Sequence, residues 1–423
     1  MEERIFARYW IETPFPVDAA TEIMAGEQSA GTFARVANET DELRAAHGAR
    51  VERIVELDER ANPSLPIRPL PPAMRAAPRF RRAEVEVSWP IANMGPSLPN
   101  LLATVAGNLF ELREFSGLRL LDLTLPPSFA AAYRGPRFGT SGTRELVSVP
   151  RGPLIGTIIK PSVGLSPEAT AQVVRELVLG GIDFIKDDEL QANGPHNPLT
   201  ARVDAVMPVI HEHADRTGRK VMYAFNVTGE IDEMRRHHDY VVRAGGSCVM
   251  ATLNSVGLPG LTALRHYSEV PIHGHRAGWG LYSRSPSIGM SYVAYQKLWR
   301  LAGVDHLHVN GLRNKFSEAD ESVIVSARAC QTPMFEPPLP ACTVMPVFSS
   351  AQTVAQAADT HAALGNADLI YCSGGGIFAH PGGIRGGVIS LRQAWDAAME
   401  GIPLAVHAET RPDLARAMEA FAK

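Results

Sequence analysis

Short apolar runs alternate with longer amphipathic segments through the last two thirds of this chain, and this rhythm limits its fold more than any other feature. The eight runs read LIGTIIK, IDFIK, VMYAFNV, SCVMATL, VPIHGH, DHLHV, TVMPVF and DLIYC. Between them lie segments with helical periodicity, such as SPEATAQVVRELVLGG. Eight β/α units over about 250 residues predict a (β/α)8 TIM barrel. A doubly wound open sheet is the alternative, but the count of eight and the missing GxGxxG after the first strand favour the barrel.

The first third of the chain has a different, mixed pattern. It combines strand-like AEVEVSWP with a segment of helical character, TDELRAAHGARVERIVELDE. Residues 126–153 are rich in proline and glycine, which is typical of a passage between domains. We therefore predict an α/β protein in which a smaller α+β domain, residues 1–135, precedes the barrel domain, residues 136–423.

Composition narrows the class of protein. The net charge of −4 and the pI near 6.4 argue against a nucleic-acid partner, which would require a basic patch. An apolar run of about 18 residues, long enough to span a membrane, is missing, and the start MEERIFARYW does not resemble a secretory signal. The 4 cysteines are widely spaced and form no CxxC pair. These features favour a cytoplasmic protein with free thiols and a small-molecule substrate.

In a TIM barrel the catalytic side chains lie at the carboxyl ends of the strands and in the loops that follow. The eight predicted strand ends read KPSVG, KDDE, NVTGE, NSVG, HGHRAG, HVNG, FSS and SGGG. Polar, glycine-rich loops are ordinary, but ionisable groups are unusually dense directly at these ends. We therefore expect them to form a functional face.

The second strand ends in a lysine and three acids. Because side chains alternate along a strand, Lys186 and Asp188 should point to one face and Asp187 to the other, while Glu189 lies just beyond. Two carboxylates close together at the open end of the barrel suit Mg²⁺, which prefers oxygen ligands. A lysine would repel the metal as an ammonium, but it becomes an anionic oxygen ligand if its neutral amine adds CO2. The alternative is a plain Lys–Asp ion pair at the barrel rim.

The loops after the seventh and eighth strands often bind phosphate in such barrels. Here the seventh strand ends in Ser349, and the eighth is followed by Ser373, Gly374, Gly375 and Gly376. Glycines allow backbone N–H groups to approach an anion closely. We expect an anion site at this position.

Four histidines and an arginine mark the fifth and sixth strands. His275 and His308 are candidates for proton transfer or anion binding, and Arg276 is a bidentate anion clamp. Zinc is an alternative for a histidine cluster, but the nearby acids, lysine and arginine favour a hard metal and an anionic substrate. For His273 and His306 we favour a core position with a hydrogen bond to a neighbour.

Together these motifs resemble the large subunit of ribulose bisphosphate carboxylase (RuBisCO). The segments that carry the resemblance are GTIIKPSVGLS, GGIDFIKDDE, HGHRAG, DHLHVNG and SGGG followed by HPGG. In the first third, GEQSAGTF resembles that family's ESSTGTW segment, and AGNLFELREFSGLRLLDLTLPPSF resembles its GN-F…LR-LRLED-R-P segment. The resemblance covers most of the chain and implies a ferredoxin-like N-terminal domain before the barrel.

The resemblance also implies roles for individual residues. Lys186, carbamylated by CO2, would join Asp188 and Glu189 as Mg²⁺ ligands. The other positions that correspond are Lys160, a proton-transfer residue; His275, an active-site histidine; Lys315, the lysine of the sixth-strand loop; Arg276 with His308, an anion clamp; and Ser349, Gly375 and Gly376, which line the remaining anion sites. The family's minimal unit is a dimer, in which Glu27, Thr32 and Asn108 would reach into the partner's site.

Departures from the family pattern argue against carboxylation. KPS stands where the family has KPK, so Ser162 replaces a lysine, and the sixth-strand loop reads HVNGLRNKFSE rather than HAGTVVGKLEG. Phe33 replaces a tryptophan, and Trp279 replaces a histidine. The chain therefore resembles the RuBisCO-like, non-carboxylating (type IV) branch.

The residues that remain could stabilise an enediolate of a keto-sugar phosphate through Mg²⁺, which serves enolisation, isomerisation or decarboxylation of a β-keto acid. Enolases of methionine salvage have lysine at the position of Asn108 and lack HRA, whereas HRA is present here. The Arg276–His308 clamp fits a substrate that is anionic at both ends. We therefore predict a decarboxylase of a 3-oxo acid-sugar phosphate, of the 3-oxo-isoapionate 4-phosphate type. The alternatives are an enolase or isomerase of a methylthio-keto-sugar phosphate, and a non-catalytic binding protein on the same fold.

Overall fold

The computed structural model describes residues 2–31 and 36–422. Its contacts divide the chain into two compact units. The first contains the residues up to Tyr133 together with Gly278–Leu298, and the second contains Arg134–Ala277 and the residues from Trp299 onward. The domain boundary after residue 135 stays a prediction.

The described residues form the following strands and helices. The strands are β1 (Arg4–Thr13), β2 (Arg50–Arg60), β3 (Phe80–Pro90), β4 (Gly117–Thr124), β5 (Leu154–Ile158), β6 (Phe184–Lys186), β7 (Met222–Asn226), β8 (Cys248–Thr252), β9 (Ile272–His275), β10 (Ile288–Met290), β11 (His306–His308), β12 (Met345–Phe348) and β13 (Ile370–Cys372). The α-helices are α1 (Val17–Glu27), α2 (Asp41–His47), α3 (Pro72–Arg75), α4 (Leu98–Ala106), α5 (Pro127–Ala132), α6 (Gly139–Val147), α7 (Pro167–Leu179), α8 (Leu199–Thr217), α9 (Ile231–Arg243), α10 (Leu253–Tyr267), α11 (Gly280–Ser283), α12 (Tyr292–Ala302), α13 (Asp320–Gln331), α14 (Ala357–Leu364), α15 (Gly375–Phe378), α16 (Gly383–Glu400), α17 (Leu404–Ala408) and α18 (Pro412–Ala420). Short 3₁₀ helices cover Ile91–Asn93, Asn108–Glu111 and Val354–Gln356.

The first unit is built on a mixed sheet with the strand order β10-β4-β1-β3-β2. β1 pairs antiparallel with β3 and β4, whereas β10 pairs parallel with β4. Residues 83–87 of β3 alternate between buried and partly exposed, as expected for a strand with one face on a core.

One helix prediction in this unit is wrong. The segment expected to be helical throughout forms α2 only as far as His47, and its second half is the edge strand β2. Gly48 has an extended backbone with ψ near 140°, which ends the helix. The β-branched residues Val51, Ile54 and Val55 then pair with β3. The tertiary pairing outweighs the local helical pattern.

The second unit contains a closed barrel of eight parallel strands in the order β11-β12-β13-β5-β6-β7-β8-β9. Each of the eight apolar runs supplies one strand, so the predicted (β/α)8 barrel is confirmed. Both faces of β7 and β8 are buried, which explains their continuous apolar sequence. The interior is filled by side chains that include Phe184, Met222, Met250, Met345, Val347 and Ile370.

Local signals set the boundaries of the barrel helices. α7, for example, begins after Ser166, whose side-chain oxygen accepts a hydrogen bond from the backbone N–H of Ala169. Pro167 occupies the first helical turn, where its missing N–H costs nothing, and the helix ends at Gly180. Because β5 and β6 run parallel, α7 returns the chain to the amino-terminal end of the barrel.

The amino-terminal end of the barrel is held by a buried carboxylate. Asp305 is fully buried just before β11. Its Oδ1 accepts hydrogen bonds from the backbone N–H groups of Phe138 and Gly139 at 2.6 and 3.0 Å. Its Oδ2 accepts from Nη1 of Arg265 at 3.0 Å and from the N–H of Ile272 at 2.9 Å. This one side chain therefore joins the start of α6, α10 and β9.

Among the described residues, no helix is both long enough and apolar enough to cross a lipid bilayer.

Candidate active site

Lys186 ends β6 at the carboxyl-terminal mouth of the barrel, where its side chain is 0% exposed. Its Nζ donates a hydrogen bond to the carbonyl oxygen of Asp187 at 2.7 Å and lies 3.5 Å from Oε2 of Glu189. The unmodified lysine therefore pairs with Glu189.

Asp188 is paired with a different lysine. Its Oδ2 accepts a hydrogen bond from Nζ of Lys160, just beyond β5, at 2.8 Å. The same Nζ donates to the hydroxyl oxygen of Ser162 at 2.7 Å. The serine of KPS thus gives Lys160 an acceptor, and two hydrogen bonds fix the ammonium in the mouth.

Asp187 points away from this cluster, as alternation along the strand predicts. Its carboxylate accepts hydrogen bonds from the hydroxyl of Tyr223 at 2.6 Å, Nε of Arg202 at 3.1 Å and the N–H of Asn226 at 2.8 Å. A buried carboxylate with this many donors is well satisfied. Asp187 therefore anchors the backbone between its two neighbours, Lys186 and Asp188.

His275 ends β9 and faces Glu189, which follows β6. Its Nε2 lies 3.3 Å from Oε2 of Glu189. Burial, together with the nearby Lys186 ammonium, holds the pKa of His275 well below its usual value. The imidazole is neutral at pH 7 and can accept a proton or a hydrogen bond.

His308 is part of a chain of hydrogen bonds across three strands. Its Nδ1 is 3.0 Å from Oγ of Ser349, and its Nε2 is 2.8 Å from Nε2 of His273. One of these two Nε2 atoms must be the donor and the other the acceptor, so the tautomers of the two rings are coupled. Burial holds the pKa of both histidines well below its usual value. His273 is fully buried and bonded to a neighbour, as expected for a core residue.

His306 lies deeper in the barrel. It is fully buried, and its Nε2 is 2.7 Å from Oγ1 of Thr143 on α6. Burial lowers the pKa of His306 to about 3. This histidine is a neutral core residue that joins the barrel to α6.

The loop after β11 carries Lys315 and also supplies a partner for Arg276. Nη2 of Arg276 donates to Oε2 of Glu318 at 2.9 Å. Lys315 is exposed, and its Nζ lies 5.3 Å from the ring centre of Phe316. In the described part of the chain, no hydrogen bond or ion pair joins Lys315 to the other candidate residues.

The glycines after β13 differ in how much room surrounds them. A Cβ added to Gly376 would lie 2.5 Å from Oγ of Ser373 and 2.7 Å from the carbonyl oxygen of Gln352, so a side chain does not fit there. A Cβ on Gly375 would meet nothing within 4 Å. Gly374 lies against Lys160, since its added Cβ would be 3.5 Å from the lysine Cε. Packing therefore requires glycine at Gly376, whereas Gly375 faces open space next to Gly374 and Lys160.

Two of the three predicted partner-site residues lie close together in the first unit. Glu27 is the exposed last residue of α1, and Asn108 is exposed at the start of a 3₁₀ helix. With the side-chain amide of Gln28 oriented to satisfy both of its neighbours, its oxygen accepts from the N–H of Asn108 at 3.1 Å. Thr32, and the Phe33 beside it, lie outside the described residues.

Within residues 2–31 and 36–422, no group of three or more histidine, cysteine, aspartate and glutamate side chains is arranged to hold a metal ion. The predicted ligand set is of another kind, because its third member is a modified lysine.

Several residues around the site were not predicted from the sequence. Glu318 stands in the loop NKFSE without a motif, and Arg202 and Tyr223, which hold Asp187, lie on α8 and β7 far along the chain. One indirect indication of Arg202 and Tyr223 was present in the sequence, because a buried carboxylate such as Asp187 requires hydrogen-bond donors.

The fold and the site together define a class: a two-unit α/β protein whose (β/α)8 barrel carries ionisable groups at the strand ends where barrel enzymes have their active sites. The chain belongs to the ribulose bisphosphate carboxylase large-chain family. The sequence model of that family's catalytic domain matches residues 139–421, and the model of its N-terminal domain matches residues 2–129. The RuBisCO-like assignment from the sequence motifs is thus confirmed.

Two relatives with named activities match nearly the whole chain. One, from Xanthobacter autotrophicus, is a 3-oxo-isoapionate-4-phosphate transcarboxylase/hydrolase, 58% identical over 99% of each chain. The other, from Rhizobium etli, is a 3-oxo-isoapionate-4-phosphate decarboxylase, 42% identical over 98% of this chain and 97% of its own.

Solved structures agree with this assignment. A rubisco-like protein from Burkholderia fungorum superposes with a TM-score of 0.91 at 47% identity, covering 99% of this chain and 100% of its own. An octameric RuBisCO from Pyrococcus horikoshii has a TM-score of 0.88 at 28% identity, covering 99% and 94%. A dimeric RuBisCO from Hyperthermus butylicus has a TM-score of 0.84 at 29% identity, covering 99% and 96%. Two of these structural neighbours are therefore oligomeric.

Proposed function

We propose that this protein decarboxylates a 3-oxo acid-sugar phosphate such as 3-oxo-isoapionate 4-phosphate, and that it does not carboxylate ribulose bisphosphate. The observation that carries the proposal is the cluster at the mouth of the barrel, where buried Lys186 meets Glu189, and Lys160 meets Asp188. The names of the relatives, at 58% and 42% identity, support the substrate.

The buried free thiols of all four cysteines are compatible with a cytoplasmic location, which cell fractionation would test.

The donor set at the mouth fits Mg²⁺. Asp188 is 3% exposed, and its Oδ2 already faces a cationic group, the Lys160 ammonium. Oε2 of Glu189 likewise faces Nζ of Lys186 and Nε2 of His275. If CO2 converts Lys186 to a carbamate, that group and the two carboxylates offer only hard oxygen donors. When bound, Mg²⁺ would polarise the substrate's oxygens and stabilise negative charge that develops on them.

The proton chemistry follows from the residues around this cluster. In the proposed reaction, the bond between the carboxylate and the neighbouring carbon breaks, CO2 leaves, and the electron pair forms an enediolate with the keto group. A proton must then be delivered to that carbon. Lys160 holds such a proton on Nζ, fixed by Asp188 and Ser162. Lys315 is the second candidate donor, provided that its loop moves over the mouth.

The groups around the rim of the barrel would bind and orient the substrate. Gly375 and Gly376 would hold the phosphate at the end of β13, where Gly375 faces open space, and Ser349 at the end of β12 would line the neighbouring anion site beside His308. Neutral His275 would accept a hydrogen bond from a substrate hydroxyl, because burial, which is the largest cause of its low pKa, does not depend on the charge of Lys186.

A second candidate reaction is transfer of the carboxyl group followed by hydrolysis. It is favoured by the 58% identity to the Xanthobacter autotrophicus relative, which exceeds the 42% identity to the decarboxylase. Both reactions begin by breaking the bond to the carboxylate carbon, so they share the residues named above. They differ in whether that carbon leaves as CO2 or remains in a product.

The fate of the carboxylate carbon tests the proposal directly. We expect purified protein with Mg²⁺ and bicarbonate to release labelled CO2 from 3-oxo-isoapionate 4-phosphate carrying ¹³C in its carboxylate. Carbon NMR and headspace mass spectrometry would follow the label. Lys160→Met should slow steady-state release of the label by about 10²–10⁴-fold, because the enediolate formed in the first turnover has lost its proton donor and must be protonated before the next.

Other outcomes would change the assignment. Label retained in an acid product would favour the transcarboxylase/hydrolase. Turnover of methylthio-ribulose 1-phosphate or its diketo derivative, with no turnover of the first substrate, would favour an isomerase or enolase. Fixation of labelled CO2 onto ribulose bisphosphate would contradict both proposals, and binding without turnover of any of these compounds would favour a non-catalytic protein.

The active unit that we propose is a homodimer with shared sites, in which Glu27, Thr32 and Asn108 of one protomer complete the site of its partner. The exposure and clustering of Glu27 and Asn108, and the oligomeric RuBisCO neighbours, support this arrangement.

Complementation would test shared sites. Lys186→Ala and Asn108→Ala dimers should each be nearly inactive, but a mixture allowed to exchange subunits should recover up to about a quarter of wild-type activity. The reason is statistical: half of the dimers are hybrids, and one of the two sites in each hybrid has neither substitution. If hybrids form, as shown by native mass spectrometry with one tagged chain, yet no activity returns, each protomer has its own complete site.

A further inference from the structure

The arginine expected to clamp an anion is already paired with a carboxylate of the same unit. Arg276 follows β9, and its Nη2 donates to Oε2 of Glu318 at 2.9 Å. The two side chains are only 7% and 14% exposed, so water screens this ion pair weakly. The pair lies at the His275 end of the mouth, next to the predicted anion clamp.

Glu318 is held in place by two further donors. Its Oε2 also accepts from Nδ2 of Asn310 at 2.7 Å, and its Oε1 accepts from Oγ of Ser322 at 3.0 Å. Asn310 is itself fixed, since its Oδ1 accepts from Oγ of Ser350 at 2.9 Å. The network joins the loops after β9, β11 and β12, so Glu318 is a built part of the mouth.

The charge of this carboxylate changes what Arg276 can bind. A guanidinium in a partly buried position attracts a dianionic phosphate strongly, but a carboxylate already bonded to it offsets most of that attraction. A phosphate placed beside Arg276 would also meet the negative charge of Glu318 at short range. The opposite side of the mouth, at Lys160 and the open Gly375, suits a phosphate better. The carboxylate there is Asp188, and it is predicted to bind the metal ion rather than to face the phosphate.

We propose that Glu318 determines substrate specificity by restricting the Arg276–His308 end of the site to a singly charged or neutral group. The site then accepts a sugar with one phosphate, bound at Gly375 and Gly376 on the Lys160 side of the mouth, and rejects a bisphosphate. The proposal deepens the function proposed above, because 3-oxo-isoapionate 4-phosphate carries a single phosphate.

Binding of two probes would test this role without requiring turnover. The probes are ribulose 1,5-bisphosphate and ribulose 5-phosphate, titrated into the full-length protein with Mg²⁺ and bicarbonate by isothermal calorimetry. We expect Glu318→Gln to bind the bisphosphate at least about tenfold more tightly than wild type does, with the monophosphate affinity changed by less than about threefold. Glutamine keeps the size of the side chain and can still accept from Asn310.

Two variants serve as controls. Glu321→Gln removes the same charge from an exposed position on α13, and it should leave both affinities unchanged. Glu318→Asp keeps the charge on a shorter side chain and should retain the preference for the monophosphate. Thermal unfolding of each variant would establish that its fold is intact.

An equal change in both affinities, or weaker bisphosphate binding by Glu318→Gln, would overturn the proposal and leave Glu318 with a structural role. If Glu318→Gln fails to fold, Glu318→Asp decides, because loss of discrimination in that charged variant contradicts a role for the charge. The ratio of affinities is independent of catalysis, so a protein that proves not to be a decarboxylase could still show it.

Discussion

Replacing Lys186 by methionine should abolish turnover while leaving the barrel folded. The side chain is 0% exposed at the end of β6, and methionine fills a similar volume without an amine. Without the amine no carbamate can form, and the predicted oxygen ligand set loses one of its three members. We expect the rate to fall by about a thousandfold or more, as when a group that acts in concert with others is removed. The measurement is release of labelled CO2 from 3-oxo-isoapionate 4-phosphate.

The matched control is Lys220→Met, which makes the same change at an exposed position before β7. It should have wild-type activity. Carbamylation can be followed separately, because ¹³C-bicarbonate with Mg²⁺ should give a carbamate signal in wild type and in Lys220→Met but not in Lys186→Met. Full activity in Lys186→Met, or wild type with no carbamate under saturating bicarbonate, would contradict the assigned role of this lysine.

The barrel could be predicted from the sequence because its strands are buried on both faces. Short, continuous apolar runs such as VMYAFNV are typical of strands in a parallel sheet, and the count of eight favours a closed barrel over an open sheet. The first unit was less predictable. Residues 50–60 have enough apolar residues at helical spacing to suggest a helix, yet they form β2, because β3 offers an edge to pair with. That edge is formed by residues 80–90, too distant in sequence for a local pattern to reveal it.

The site shows the same division between local and distant information. Alternation along β6 and the two residues after it predicts that the side chain of Asp187 points away from those of Lys186 and Asp188. In the structure Asp187 bonds to Tyr223, whereas Lys186 faces the mouth of the barrel. Sequence could not reveal what surrounds each group. Glu318 reaches Arg276 from 42 residues away, and only the geometry of two loops brings them together. Lys315 was expected beside the catalytic groups because of its motif, but the position of its loop is set by contacts that the motif does not contain.

Replacing Asp305 by alanine should lower the stability of the barrel more than any substitution at its mouth. This carboxylate is fully buried at the opposite end of the barrel from Lys186, and it accepts hydrogen bonds from three backbone N–H groups and Arg265. Alanine leaves those donors without their acceptor and leaves Arg265, which is 3% exposed, without its counter-charge. Breaking a buried ion pair in this way costs about 3–5 kcal/mol, which would lower Tm by roughly 10 °C. Circular dichroism melts would measure the change.

A double-mutant cycle separates the ion pair from the backbone hydrogen bonds. Arg265→Leu should be destabilising alone, but adding it to Asp305→Ala should cost less than the sum of the two, because the stranded charge is removed. Asp215→Ala, at an exposed site on α8, is the control and should change stability by less than about 0.5 kcal/mol. If the two losses of stability are strictly additive, the contribution of Arg265 does not depend on Asp305. If Asp305→Ala lowers the free energy of unfolding by less than about 1 kcal/mol, water or nearby groups replace the carboxylate. Ionisable residues mark both ends of β11 in sequence, and the direction of the strand distinguishes their roles. Asp305, just before the start of β11, holds the fold together, whereas His308, at its end, lies at the mouth that carries the proposed active site.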